Sequence, residues 1–260
     1  MLCKYIMNQD NINEIVKIVQ QEKYQKKIVE IVTNNILTKK GNILDEIDYQ
    51  QEINGFYINL DYRFDRKSHF EEYIKNFDFF KNIMRFSAIK FDNGAIGCGL
   101  SHIEVLKILK NIDSNYFCVF EDDFMIYDFS VFNCFMNDFE KIKTNSNWDI
   151  ILLTPFFAKE KNDETNEELT KNKFIRICNA QTTTAYIIKK SFINVMIDNF
   201  IDAVNNLLNN GKSVIYAIDI YWKKLQKIHK FYTYKLRFAK QLVGFSDIEK
   251  KRINYDKYIK

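Results

Sequence analysis

The sequence predicts an α/β domain built on a largely parallel sheet, and three observations carry that expectation. From residue 54 onward, short apolar runs alternate with segments of helical periodicity. At 260 residues and 47% hydrophobic content, the chain is long enough to bury a core without disulfide staples. With only 7 Gly and 1 Pro, it lacks the turn formers that many tight hairpins would need. The same composition excludes collagen-like, linker-rich and disordered classes.

Taken in order, the first segment stands apart. Ile12, Ile15, Ile18 and Val19, then Ile28, Ile31 and Val32, recur at helical spacing. They predict a short helical appendage over 1–53, ahead of a main domain over 54–260, either as a packing element or as a helix for self-association or a partner. GFYINL (55–60), MRFSAI (84–89), YFCVF (116–120), DIILL (149–153), FIRIC (174–178) and TAYII (184–188) read as strands. Segments 99–110, 129–143, 190–209 and 218–228 read as helices, and 158–173 as a polar loop. In open sheets of this kind the ligand lies beyond the carboxyl ends of the strands, so polar residues that follow a strand are the first place to look.

Charge and cysteine usage narrow the class further. Lys+Arg number 38 against 34 Asp+Glu, a net +4. The basic residues are overwhelmingly Lys, which speaks against a nucleic-acid partner read by bidentate arginines. Cys3, Cys98, Cys118, Cys134 and Cys178 are odd in number and widely spaced, as expected of free thiols in a reducing compartment. The N-terminus has no long apolar signal region, and no apolar run reaches the ~18 residues of a membrane span. The expectation is a soluble, cytoplasmic protein. His69, His102 and His229 form no spaced zinc motif, and no GxSxG elbow marks a serine hydrolase.

Four segments carry candidate chemistry. YFCVFEDDF delivers Glu121, Asp122 and Asp123 at a strand end, where i and i+2 side chains share a face. A hard divalent ion held by Glu121 and Asp123 would relieve the repulsion of three carboxylates; an acidic turn capping the next segment is the alternative. Gly94, Gly97 and Gly99 precede a predicted helix bearing Ser101 and His102, and serve either close approach to a ligand or close helix–sheet packing. Asn59, Asp61, Arg63, Asp65 and Arg66 follow the first strand, as an anion-binding loop or a surface ion-pair network. Asp219 opens an aromatic helix, as an N-cap or as a general base with Tyr221 and Trp222 available for stacking.

In order, FYINLDYRFDRK, GAIGCGLSHIEVLK, FCVFEDDFMI, WDIILL, TTTAYIIKK, AIDIYW and QLVGFSDIEKKR resemble glycosyltransferase family 25, over residues 54–252. The family includes lipooligosaccharide and procollagen galactosyltransferases. The resemblance implies a GT-A, Rossmann-like fold that binds a UDP-sugar, usually with Mn²⁺ or Mg²⁺. It implies donor-binding roles for Asn59, Asp61, Arg63, Arg66, Ser101, His102, Glu121, Asp122, Thr183 and Thr184, with Glu121 and Asp123 as metal ligands. Asp219 matches an acidic position expected to face the acceptor as the catalytic base. Asp247, Gln241 and His229 are further candidates, Asp247 as a rival base, a metal-shell residue or a cap. The implied function is inverting transfer of galactose or glucose to a glycan or glycoprotein hydroxyl, as in lipopolysaccharide biosynthesis. A metal-dependent nucleotidyltransferase and an inactive structural protein that keeps the fold are the alternatives.

Overall fold

The computed structural model describes residues 54–254 and 256, apart from 75–76, 145–146 and 162–165. The helical reading of 1–53, and any association through it, lies outside these residues.

All six expected strands are present: β1 (Gly55–Asn59), β2 (Ile83–Ser87), β3 (Tyr116–Glu121), β5 (Ile150–Leu152), β7 (Phe174–Cys178) and β8 (Ala185–Lys189). With β6 (Lys159–Glu160) and β9 (Phe231–Tyr234) they form an eight-stranded mixed sheet in the order β2-β1-β3-β8-β5-β9-β7-β6. β1 lies parallel between β2 and β3, with Gly55 opposite both Ile83 and Cys118. β8 is inserted antiparallel between β3 and β5, and β7 antiparallel between β9 and β6. Six strands therefore share one direction, as a mostly parallel sheet requires. The two reversed strands nevertheless make antiparallel pairings the majority. This is the mixed α/β, GT-A-like Rossmann architecture.

The helices are α1 (Phe64–Ile74), α2 (Gly94–Lys110), α3 (Phe129–Ile142), α4 (Glu167–Lys171) and α5 (Ile193–Asn210). α3 buries Phe132, Phe135, Phe139 and Ile142 along one stripe, against Phe79, Phe80 and Trp148. Each such aromatic contributes roughly 1.5–3 kcal/mol by leaving water. Asp128 caps α3, accepting a hydrogen bond from the Val131 N–H at 3.0 Å. The expected continuous helix over 218–228 is instead two short pieces, Ile218–Tyr221 and Lys223–Gln226, preceded by Ser213–Tyr216. Trp222 Nε1 and Gln226 Nε2 both donate to the Ala180 carbonyl, drawing this segment onto the loop before β8.

α2 begins at Gly94, so the three glycines stand inside the helix rather than ahead of it. Packing accounts for two of them. A Cβ on Gly97 would lie 2.6 Å from the Ile89 backbone oxygen, and one on Gly99 would lie 2.6 Å from Val204 Cγ2 of α5. Glycine costs a helix interior roughly 1 kcal/mol against alanine, and here it lets α2 lie flush on its neighbours. Gly97→Ala should cost about 1–3 kcal/mol of overpacking, because backbone cannot yield. Gly99→Ala should be milder, because a valine methyl can move. Thermal melts of the two variants check this, and equal losses would contradict the distinction.

Candidate active site

The site lies where β1, β2 and β3 end. β3 stops at Glu121, and Asp122 and Asp123 form the turn into β4 (Phe124–Ile126). The turn replaces the expected strand-like alternation, so the carboxylates divide between two sets of partners. Glu121 Oε1 accepts from Thr183 Oγ1 at 2.7 Å, and lies 3.3 Å from His102 Nε2 and 3.9 Å from Cys98 Sγ. Asp122 and Asp123 instead share Arg66 of α1, whose Nη1 donates to Asp122 Oδ1 at 2.9 Å and to Asp123 Oδ2 at 3.0 Å. Asn59 donates to Asp122 Oδ2 at 2.7 Å. β4 pairs with β10 (Ala239–Gln241), which sets Gln241 opposite Phe124 and lets its Nε2 donate to Asp123 Oδ2 at 2.9 Å.

The electrostatics separate the three acids. Burial pushes the Asp123 carboxyl up to about 7, against the pull of Arg66 and Gln241. Burial also raises Asp122, again opposed by Arg66. Burial opposes the charge of Glu121 too, but the His102 and Thr183 hydrogen bonds and the Arg66 charge outweigh it and lower its value.

Two cavities meet at Glu121. The first, ≈140 Å³, is bordered by Arg66, Ser101, His102, Glu121, Asp122 and Asp123, and closed by Gln241, Asp247 and Ile248. The second, ≈400 Å³, holds Asp219, Thr182, Thr183, Phe156 and Phe157. Cys98, Glu121 and Gln241 line both. Ala217 is the residue before the short helix that bears Asp219, so Asp219 lies within the first turn and is not its cap. Its Oδ2 accepts from the Thr182 backbone N–H at 3.2 Å. Burial raises its pKa and the Glu121 charge adds to this, while the Thr182 N–H pulls the other way. Thr182 has φ 76°, a left-handed conformation that typically costs a β-branched residue ~1–3 kcal/mol. That strain aims the Thr182 N–H at Asp219 and the Thr183 hydroxyl at Glu121.

Other expected residues are tied into networks around the cavities. Asn59 is buried between Asp122 and Arg85. Asp61 pairs with Arg85 at 2.7 Å, and Arg63 binds Asp65 and Asp247. The ion-pair reading therefore describes Asp61 and Arg63, and of the expected residues of this segment only Arg66 lines the first cavity, with Leu60 and Tyr62 beside it. Buried Ser101 accepts from the Ile89 N–H and donates to the Gly97 carbonyl, joining α2 to the loop after β2. Thr184 bonds Thr182 through its hydroxyl. Both Asp247 oxygens are engaged, by Tyr62 Oη and Arg63 Nη1, which makes it a tie for the C-terminal segment.

Two expectations fail. His229 precedes β9, at the opposite end of the sheet from the carboxylates, and packs against Phe192. Trp222 is fully buried, so it cannot stack on a ligand, and Tyr221 lines neither cavity. Phe156 and Phe157 provide the aromatic surface instead. Cys98 and Tyr186, whose hydroxyl meets His102 Nδ1 at 3.0 Å, were also not anticipated. The only sequence hint for Cys98 is its place between Gly97 and Gly99.

A divalent ion fits the first cavity. Asp123 Oδ1 is buried without a hydrogen-bond partner, an orphan that a hard cation would satisfy. The expected pairing of Asp123 with Glu121 is less even, because Glu121 Oε1 is already bonded. Cys98, His102 and Glu121 form a second candidate metal cluster, their ligand atoms all within 4.8 Å of one another.

The family model for glycosyltransferase family 25 (LPS biosynthesis protein) matches residues 86–222, just over half of the chain. No match was found among curated proteins. Solved structures show similarity at low identity. Mannose-1-phosphate geranyltransferase from Thermus thermophilus is 9% identical, with a TM-score of 0.39 over 81% of this chain and 65% of that one. A glycosyltransferase involved in glycosylation of the major capsid of PBCV-1 is 9% identical, with a TM-score of 0.41 over 75% and 94%. A197 from STIV is 13% identical, with a TM-score of 0.37 over 76% and 91%. Among the described residues, no helix is long and apolar enough to cross a membrane.

Proposed function

The chain belongs to glycosyltransferase family 25, and from that premise we propose that it moves galactose or glucose from a UDP-sugar to a hydroxyl of a glycan or glycosylated protein, inverting the anomeric carbon. One observation carries the reading most: a cavity with an orphaned buried carboxylate oxygen adjoins, across Glu121, a larger cavity holding a buried aspartate. The first suits an anionic donor held with a cation, the second an acceptor.

In this reading Asp123, with Glu121 beside it, would hold the Mn²⁺ or Mg²⁺, which when bound neutralises charge developing on the leaving diphosphate. Arg66 opposes the upward push of burial on Asp122 and Asp123 and holds their turn in place. His102 and Thr183 fix the Glu121 carboxylate between donor and acceptor. Asp219 takes the proton of the attacking hydroxyl at its carboxylate, oriented by the Thr182 N–H. Attack from the second cavity, opposite the leaving group, gives inversion. The apolar faces of Phe156 and Phe157 shield that cavity and suit the C–H face of a sugar ring.

Calorimetry with UDP in Mn²⁺ and in EDTA tests the donor side. UDP should bind at least ~10-fold more weakly in EDTA, since the ion would offset the negative charge that the diphosphate brings beside the carboxylates. Equal affinities would remove the metal-linked donor site. The raised value of Asp219 gives a second expectation. A base must be deprotonated, so transfer should fall on acidification at a higher pH than an ordinary carboxylate, of value ~4, would dictate. A pH profile of kcat/KM reads this directly.

A further inference from the structure

The wall between the two cavities presents donors of a different chemical kind from those around Asp123. Cys98 Sγ, His102 Nε2 and Glu121 Oε1 face one another, with Nε2 to Oε1 at 3.3 Å and Sγ to Oε1 at 3.9 Å, and an ion here would share Oε1 with the Thr183 hydroxyl that donates to it at 2.7 Å. A tetrahedral zinc ion, with bonds of ~2.0–2.1 Å to nitrogen, ~2.0–2.2 Å to oxygen and ~2.3 Å to sulfur, sets edges of about 3.4 Å for N···O and about 3.6 Å for S···O. These two separations are within a few tenths of an ångström of those edges, and the remaining Sγ-to-Nε2 edge lies within 4.8 Å. We propose that Cys98, His102 and Glu121 form a binding site for a borderline-soft divalent ion of the Zn²⁺ class, separate from the hard-cation site at Asp123, and that filling it takes Glu121 away from the donor–acceptor cleft.

The surroundings support a metal at this point. His102 is fully buried, and its Nδ1 is held by the Tyr186 hydroxyl, which directs Nε2 at the site as outer partners of metal-bound histidines do. The hydroxyl either donates or accepts. A shift of the imidazole proton to Nδ1 therefore frees the Nε2 lone pair without breaking that contact. The Cys98 thiol gives up its proton to solvent on binding. Thiolate and carboxylate then neutralise the 2+ charge, which suits a largely buried site. All three residues line the first cavity, which gives the ion a way in and leaves a fourth coordination position toward it. Soft sulfur and imidazole favour Zn²⁺ over Mg²⁺, whereas the Asp123 oxygens favour the reverse.

Part of this rests on the proposed donor cleft, and the two are tested apart. Titrating the full-length protein with Co²⁺ should give intense visible bands of a four-coordinate ion and a thiolate-to-cobalt charge-transfer band in the near ultraviolet. Zn²⁺ should bleach both, and excess Mg²⁺ should not. In Cys98→Ser the charge-transfer band should vanish, and Zn²⁺ affinity should fall by more than the ~10–100-fold that losing an outer partner costs. His102→Gln should weaken Zn²⁺ binding comparably, with circular dichroism confirming that both variants fold. Absence of the band in the wild type, or its survival in Cys98→Ser, overturns the site. UDP binding to the wild type in Mg²⁺ alone reads the donor cleft separately. Zn²⁺ binding with unchanged UDP affinity would leave the ion site standing and overturn its effect on the cleft.

Discussion

Asp219→Asn is expected to lower transfer by ~10²-fold or more while leaving UDP affinity and melting temperature nearly unchanged. The amide keeps the shape of the carboxylate and its oxygen still accepts the Thr182 N–H, so the loop before β8 stays in place. What disappears is the proton acceptor. A lone N-cap reading forecasts no such loss, and the position of Asp219 inside the first helical turn already disfavours it. Asp247→Asn gives the contrast. Asp247 is committed to Tyr62 and Arg63, so its change should loosen the C-terminal segment over the first cavity and act mainly on UDP binding. Steady-state kinetics with donor and acceptor varied in turn, alongside UDP calorimetry, separates the two. Full transfer by Asp219→Asn would remove it as the base. Lost UDP binding in that variant would move Asp219 to the donor side.

The parts of this site that were legible in the sequence are those that local pattern determines. Apolar runs bounded by polar residues gave six strands, and the acidic tripeptide after YFCVF stood out because a strand end exposes whatever follows it. β9 was missed because its four residues FYTY lie between lysines with no Gly or Pro to mark them. α1 is hard to read because FDRKSHFEEYI is mostly polar, although Phe70 and Ile74 are fully buried. The partition of the three carboxylates was illegible for a different reason. It depends on Arg66, 56 residues before Asp122, and on Gln241, 118 residues after Asp123. Such pairings follow from β1 lying beside β3 and β10 beside β4, and a single sequence does not declare them. The break in the 218–228 helix is of the same kind, since it follows from Trp222 and Gln226 reaching the Ala180 carbonyl.

The largest stability effect is expected at Arg66. Its side chain, 16% exposed, carries the cation that meets both Asp122 and Asp123, whose side chains are 8% and 5% exposed. Arg66→Met keeps much of the volume but leaves two buried carboxylates without that partner, and breaking a buried pair in this way typically costs ~3–5 kcal/mol. Urea unfolding with EDTA, above the raised value of Asp123 where its protonation gives least relief, measures the loss. If the cost is electrostatic, adding Asp123→Asn to Arg66→Met should recover part of it, because one of the stranded charges is removed. A divalent ion should act in the same direction. If Mn²⁺ binds at Asp123 as proposed, it should raise the melting temperature of Arg66→Met more than that of the wild type, since it would supply the missing positive charge. A loss of under ~1 kcal/mol, in the range of an exposed surface pair, would mean that the turn is solvated and that Arg66 does not hold it. A full loss with no rescue by Asn or by Mn²⁺ would assign the role of Arg66 to packing along α1 instead of to charge.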